Sequence, residues 1–232
     1  MILAFDTATD RLTIALGTRD NILAEINENA PRAHLGKLVP GIDKLLKAAD
    51  LSISDIDHIA VGIGPGSFTG LRIAVATAQG LAHGLNRPLI GVSTLDAIAA
   101  ALAPAAADMD IFPVMDAKRR EIYTARYDHY GRRLTDYRAL LPEILTAELA
   151  AAKKPVLMTG DGLDKYSSVF ADTPGLSVDF AQISQWSPRA SVLIRLAEEK
   201  IDKSDTGTYI NVMPIYVRSP DAKEPVRREK LS

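Results

Sequence analysis

The 232-residue chain contains no cysteine. That excludes disulfides, thiolate metal sites and cysteine nucleophiles together, and it fits a reducing compartment. Long apolar runs are missing too: none approaches the roughly 18 residues that a membrane-spanning helix needs. Charge of one sign is also lacking. Lys and Arg total 27 against 29 Asp and Glu, a net charge of −2, so no global basic field draws the chain to nucleic acid or to an anionic membrane. Any work on nucleic acid would leave most of the contact surface to another molecule. Met1-Ile2-Leu3-Ala4-Phe5 carries neither a basic leader nor a cleavage site, which points to a cytoplasmic protein. Histidine is scarce. His34, His58, His83 and His129 form no pair at the i, i+4 spacing of a helical metal site, and each reads as a surface or capping residue, so no metal is expected.

What the chain does have is an ordinary globular composition, 47% hydrophobic and 24% charged, and enough length for one large or two small domains. Residues 2–5, 12–16 and 21–26 read as three short strands joined by turns, an antiparallel meander. Asn29 is placed to cap a helix with Pro31 in its first turn. That helix, 32–49, carries Leu35, Leu38, Val39, Ile42, Leu45 and Leu46. Residues 58–63 read as a buried strand, 68–85 as an Ala-rich helix ending near Gly84 with Pro88 beyond, 89–92 as a strand and 94–102 as a helix. The Ala- and Pro-rich stretch at 103–108 breaks the pattern and divides the chain into 1–103 and 104–232. A strand at 111–115 closed by Asp116 follows, then a hairpin of 121–127 and 132–137, a helix at 142–152, a strand at 155–159, and helices at 163–170 and 188–200. Residues 217–232 are charged and read as a mobile tail, in which Arg227 and Arg228 could touch a phosphate. The order is α/β with mixed sheets, stated twice.

The stretch Gly64-Pro65-Gly66-Ser67-Phe68-Thr69-Gly70-Leu71-Arg72 stands between a strand and a helix. Such a loop presents free N–H groups and a positive helix end to an anion, or it serves as a tight packing turn. It is not a Walker loop, because Leu71-Arg72 follow Gly70 where Lys and Ser/Thr are required. It is not a dinucleotide fingerprint either, because Thr69 stands at the third glycine position. Nor is Ser67 on a nucleophile elbow, since Pro65 and Thr69 replace the flanking glycines; Ser67 and Thr69 suit helix capping. Asp6, Asp10 and Asp116 could hold Mg²⁺ with a nucleotide, or simply end strands. Gly160-Asp161-Gly162 reads as a ligand-side loop or a turn. The helices at 32–49 and 68–85, the second with Leu71, Val75, Ala78 and Ala82 in line, are apolar over much of their girth. They need two partners, either within one subunit or with another chain on one side.

Two similar α/β halves, with Asp6-Thr7 and Asp116 at corresponding strand ends, resemble the actin/Hsp70/sugar-kinase (ASKHA) architecture, with duplicated lobes, mixed sheets and a reduced second lobe. More specifically, the segments at 2–9, 61–72, 88–95 and 116–123 resemble the TsaB (YeaZ) family, subunits of the bacterial tRNA threonylcarbamoyladenosine machinery. The resemblance implies a non-catalytic paralogue of the transferase subunit TsaD. Aligned on Gly91-Val92-Ser93, Thr94 and Ile98 occupy the places of the two metal histidines of TsaD, and neither suits that metal. It implies pairing with TsaD through the first long helices, with Leu35, Leu38, Val39, Ile42, Leu45, Leu46, Leu71, Val75, Ala78 and Ala82 at the interface, and a homodimer through the same surface when TsaD is absent. The ATPase TsaE joins the pair, and tRNA is met only indirectly. Asp6, Thr7, Gly64, Gly66, Ser67, Thr69 and Asp116 then become a vestigial phosphate loop, with no cofactor beyond weak adenine-nucleotide binding. The rival reading is an independent actin-like ATPase or kinase, or a glycoprotease-type peptidase.

Overall fold

The structure is a computed structural model and describes residues 1–218. The tail predicted at 217–232, with Arg227 and Arg228, lies outside the described residues except for Val217 and Arg218.

The first half contains β1 (Ile2–Asp6), β2 (Arg11–Gly17), β3 (Ile22–Asn29), α1 (His34–Ala48), β4 (His58–Gly62), α2 (Phe68–Leu85), β5 (Leu89–Val92) and α3 (Thr94–Leu102). The second contains β6 (Asp110–Asp116), β7 (Ile122–Thr124), β8 (Arg138–Leu140), α4 (Pro142–Ala152), β9 (Val156–Thr159), α5 (Leu163–Ala171), β10 (Val178–Phe180) and α6 (Ala190–Asp202). The two sheets run β3-β2-β1-β4-β5 and β10-β9-β6-β7-β8. Counting from the first strand of each half, these orders are the same. The pairings agree as well: β1 is antiparallel to β2 and parallel to β4, as β6 is to β7 and β9. The topology is therefore duplicated, with every strand of the second sheet except β6 shorter than its counterpart.

Period-2 alternation divides β1 between two cores. Leu3 and Phe5 face α1 and α2, while Ile2 and Ala4 face α6. On β6, Ile111 and Met115 face α3, while Phe112 and Val114 face α4 and α5. The halves thus exchange helices: α3 covers the second sheet and α6 the first. The division at 103/104 therefore does not hold for α6, whose Leu193, Ile194 and Ala197 pack among residues of the first sheet.

Several local expectations need correction. Asn29 caps nothing, because the chain turns through Ala30–Ala33 and α1 starts at His34 without a side-chain cap. His34 is buried, and its Nε2–H donates to the Thr9 carbonyl at 2.9 Å, tying α1 to the β1–β2 turn. The helix α2 has the expected span, Phe68–Leu85, but the residue that ends it is Asn86 in the left-handed conformation (φ 52°) and not Gly84, a conformation that Asn tolerates. The turn at 128–131 forms and the chain returns at 132–134 against 126–128, with Tyr127 bridged to Arg133, but the return does not continue as a strand to 137, and the regular strand that pairs with β7 is Arg138–Leu140. Tyr137 is drawn instead to Asp96 of α3, to which its hydroxyl donates at 2.9 Å. The edge strand β10 was not expected.

Candidate functional site

The glycine loop is clamped to the β1–β2 turn. The Ser67 N–H donates to the Ala8 carbonyl at 2.8 Å, and the Thr7 hydroxyl donates to the Gly70 carbonyl at 2.7 Å. A Cβ on Gly66 would come within 2.5 Å of the Ala8 carbonyl oxygen, and one on Gly70 would overlap the Thr7 carbonyl oxygen. These glycines are required by backbone approaching backbone. The Ser67 hydroxyl accepts from the Gly70 N–H at 3.3 Å, the expected cap, whereas Thr69 lies inside the helix.

Asp6 and Thr7 do not face a ligand. Both are fully buried. One Asp6 oxygen accepts from the Ala8 N–H at 2.6 Å, and the other accepts from the Thr94 hydroxyl at 2.7 Å. Burial raises the Asp6 pKa; these bonds and nearby His34 oppose the rise. The trio Asp6, Asp10 and Asp116 is therefore not assembled as a ligand set. Among the described residues no cluster of three or more His, Asp or Glu side chains could hold a metal.

Between the lobes lies a cleft of about 760 Å³, bounded by Asp10, Arg11 and Asn27 on one side and by Asp116, Asp161 and Lys165 on the other. A second cavity of about 270 Å³ adjoins it, reaching Gly66, Ser67 and Thr69. Asp116 ends β6 and accepts from Lys118 Nζ at 2.9 Å and from Lys165 Nζ. Burial works against its charge, but the two lysines outweigh burial and hold its pKa below the usual carboxylate value. Asp161 accepts from the Asp116 N–H at 3.1 Å. Burial, reinforced by the Asp116 charge, pushes Asp161 up to about 6, against the pull of that hydrogen bond. Of the predicted loop, then, Ser67, Thr69, Gly66 and Asp116 border the cleft. The Gly160-Asp161-Gly162 loop brings Asp161 to the cleft wall, and Lys118 and Lys165, which the sequence reading does not name as site residues, stand beside it. The loop follows β9 as Ile63-Gly64 follows β4, and the duplication gives it the place that the glycine loop has in the first half.

Most of the predicted interface is turned inward. Leu38, Ile42, Leu45, Leu46, Leu71, Val75, Ala78 and Ala82 are all buried in the core between α1, α2 and the first sheet. The apolar line marks the face that covers the sheet, so these eight residues are not available to another chain. Leu35 and Val39, 78% and 58% exposed, are the two of the ten that reach the surface. On α2 the outer face carries Thr69, Arg72, Ala76 and Gly80.

Thr94 and Ile98 are also accounted for inside the chain. The Thr94 hydroxyl donates to Asp6 and accepts from the Gly64 N–H at 3.2 Å, and Ile98 is fully buried against the second sheet.

Two lobes with one repeated sheet order and exchanged helices define an actin-like protein. Component A of (R)-2-hydroxyglutaryl-CoA dehydratase from Acidaminococcus fermentans shares that fold over 87% of this chain and 98% of its own (TM-score 0.52, 12% identity). A more specific likeness singles out one branch of this class. The chain is 31% identical to the tRNA threonylcarbamoyladenosine biosynthesis protein TsaB of Bacillus subtilis, over 96% of each. It is 30% identical to the Escherichia coli protein of that name, over 94% of each. It superposes on YeaZ from Pseudomonas aeruginosa with a TM-score of 0.78 at 30% identity, over 93% of this chain and 98% of that one. The family model for TsaD, tRNA N6-adenosine threonylcarbamoyltransferase, matches residues 21–146. The chain belongs to the TsaB (YeaZ) family.

Proposed function

We propose that this chain is a non-catalytic subunit in the formation of threonylcarbamoyladenosine in tRNA, acting by pairing with the catalytic paralogue TsaD. The observation that carries the reading is the use of Thr94 and Ile98. Where the paralogue places metal-binding histidines, this chain has a hydroxyl spent on a buried carboxylate and a fully buried isoleucine. Neither can reach a metal without dismantling the core.

The pairing surface is the outer face of α1 and α2, around Leu35, Val39, Ala76 and Gly80. Exposed apolar side chains beside small residues suit close helix packing. The same face makes a homodimer in the absence of the partner. TsaE joins the pair, tRNA is contacted through the assembly, and the work is done in the cytoplasm. No described helix is long and apolar enough to cross a membrane. An adenine nucleotide binds this chain weakly or not at all, because Asp6 and Thr7 are consumed by the fold.

The test is reconstitution of threonylcarbamoyl transfer to tRNA from the other purified components, with and without this chain. Product only when the chain is present, and lost with Val39→Glu, is the expected result. Product regardless of the chain would sink the reading.

A further inference from the structure

A separate cavity of about 270 Å³ opens in the second lobe, between α4 and strands β6, β7 and β8, away from the inter-lobe cleft and from the outer face of α1 and α2. That size is just below the ~300 Å³ at which pockets begin to take drug-sized molecules. Its walls are apolar: Phe112 of β6, Leu145, Leu149 and Ala152 of α4, and Val156 of β9.

Polar groups converge at one end. Thr124 of β7 is 1% exposed, and its hydroxyl has no hydrogen-bond partner. Ile122 packs toward Phe112, Leu145 and Leu149, and strand alternation puts Thr124 on the same side. Buried hydroxyls without partners are uncommon and unfavourable, so this one marks a place where a polar ligand atom would be held. Arg138 lies directly opposite Thr124 in the β7–β8 register. Its two guanidinium nitrogens each donate to Glu148 at 2.8 Å. Arg126, two residues along from Thr124, is fixed by Asp110, with Nε donating at 2.9 Å. Lys154 completes the rim. Three cations stand against two carboxylates, leaving one positive charge unmatched.

We infer that this pocket binds a small monocarboxylate with a short apolar body. The carboxylate sits among Thr124, Arg126 and Arg138, and the hydrocarbon lies against Leu145, Leu149 and Phe112. The two ion pairs hold the arginines in place, and Lys154 supplies the net attraction for a single negative charge. The inference stands independently of the function proposed above.

Methyl-detected NMR titration of the full-length chain tests it, with hexanoate, hexanamide and acetate as probes. Saturable shifts of the Leu145 and Leu149 methyls with hexanoate at about 1 mM or below are expected, a realistic range for so few atoms. Hexanamide, which lacks the charge, should bind at least about tenfold more weakly, and acetate, which lacks the body, should give no saturable shift. Thr124→Val, close in shape, should weaken hexanoate several-fold while leaving the spectrum folded. Ala152→Trp, at an exposed rim position, should block it. Absence of saturable shifts overturns the inference. Hexanamide binding as tightly as hexanoate overturns the carboxylate assignment, and shifts that survive Ala152→Trp overturn the location.

Discussion

Leu38 and Val39 are neighbours on α1 with opposite surroundings, and that contrast makes a sharp test of where this chain meets its partner. Leu38 is 1% exposed in the core shared with α2 and the first sheet. Truncating such a leucine to alanine removes its transfer free energy and leaves a cavity, about 2–5 kcal/mol. For a chain of this size ~2–4 °C of Tm accompanies each kcal/mol, so Leu38→Ala should lower Tm by about 4–20 °C. Val39 faces outward, and its replacement by glutamate should change stability by no more than about 0.5 kcal/mol. If the outer face of α1 is the pairing surface, the new carboxylate is buried without a partner in the complex. That costs at least about 2 kcal/mol, or ~30-fold in Kd. Thermal melting of the isolated chain gives the first quantity. Sedimentation of the chain alone and titration with TsaD give the second. Val39→Glu should leave the melt intact, abolish the homodimer and weaken the TsaD complex, and Leu38→Ala should do the reverse at temperatures below its melt. The reasoning is refuted if Val39→Glu associates normally, or if it destabilises the monomer as much as Leu38→Ala.

Further outcomes follow from the loop and the cleft. Gly70→Ala would drive a methyl into the Thr7 carbonyl and should cost about 1–3 kcal/mol or more, whereas Gly80→Ala meets open space on the outer face of α2 and should gain up to ~1 kcal/mol; urea midpoints for the pair check the sign of each. Thr94→Val removes the donor to a buried carboxylate and should lower stability by about 1.5–3 kcal/mol, with Thr94→Ser restoring most of it in the same denaturant assay. Asp161 has its folded pKa pushed up from 3.8 to about 6. An acid raised on folding binds more protons folded than unfolded, so its contribution is lost as pH climbs between those two values. The loss is at most about 3 kcal/mol at 1.36 kcal/mol per unit, and less because the side chain is partly exposed. Asp161→Asn, whose amide oxygen still accepts from the Asp116 N–H, should therefore flatten the Tm–pH curve between about pH 4 and 6 and raise Tm at pH 7. An unchanged curve contradicts the assignment.

What could be read from the residues was mostly local. The meander of β1 to β3, the Ser67 cap on α2 and the Asp116 strand end each follow from a few adjacent residues. So does the repetition of strand and helix order. The direction of a face was not local. Leu38, Ile42, Leu45 and Leu46 announce an apolar stripe, but periodicity says only that something covers it. The nearest sheet does so, leaving the less conspicuous Leu35 and Val39 outside. Asp116, Asp161 and Lys165 lie up to 49 positions apart in sequence. No spacing rule joins them, and they meet because β6 and β9 are adjacent parallel strands. The placement of α6 on the first sheet is likewise a contact between distant segments.

The two duplicated strand-end aspartates have opposite fates, and the difference rests on what each meets. Asp6 ends β1 next to Thr94 and Gly62. A Cβ at Gly62 would overlap the Asp6 carboxylate, so the glycine admits the side chain, and both of its oxygens are taken by neighbours within the same lobe. Asp116 ends β6 at the corresponding place, but its neighbours are Lys118 and Lys165, which reach it from the cleft side. The first lobe has turned its aspartate into a buried tie between β1, the turn after it and α3. The second keeps its aspartate at the cleft wall in an ion-paired cluster. A phosphate approaching the cleft would compete with Asp116 for both lysines while being repelled by Asp10 and Asp161. Four acidic residues (Asp10, Asp116, Asp161 and Asp164) and four basic ones (Arg11, Lys118, Lys165 and Arg189) line that cleft, so its charges balance and a phosphate would gain no net attraction from the wall as a whole.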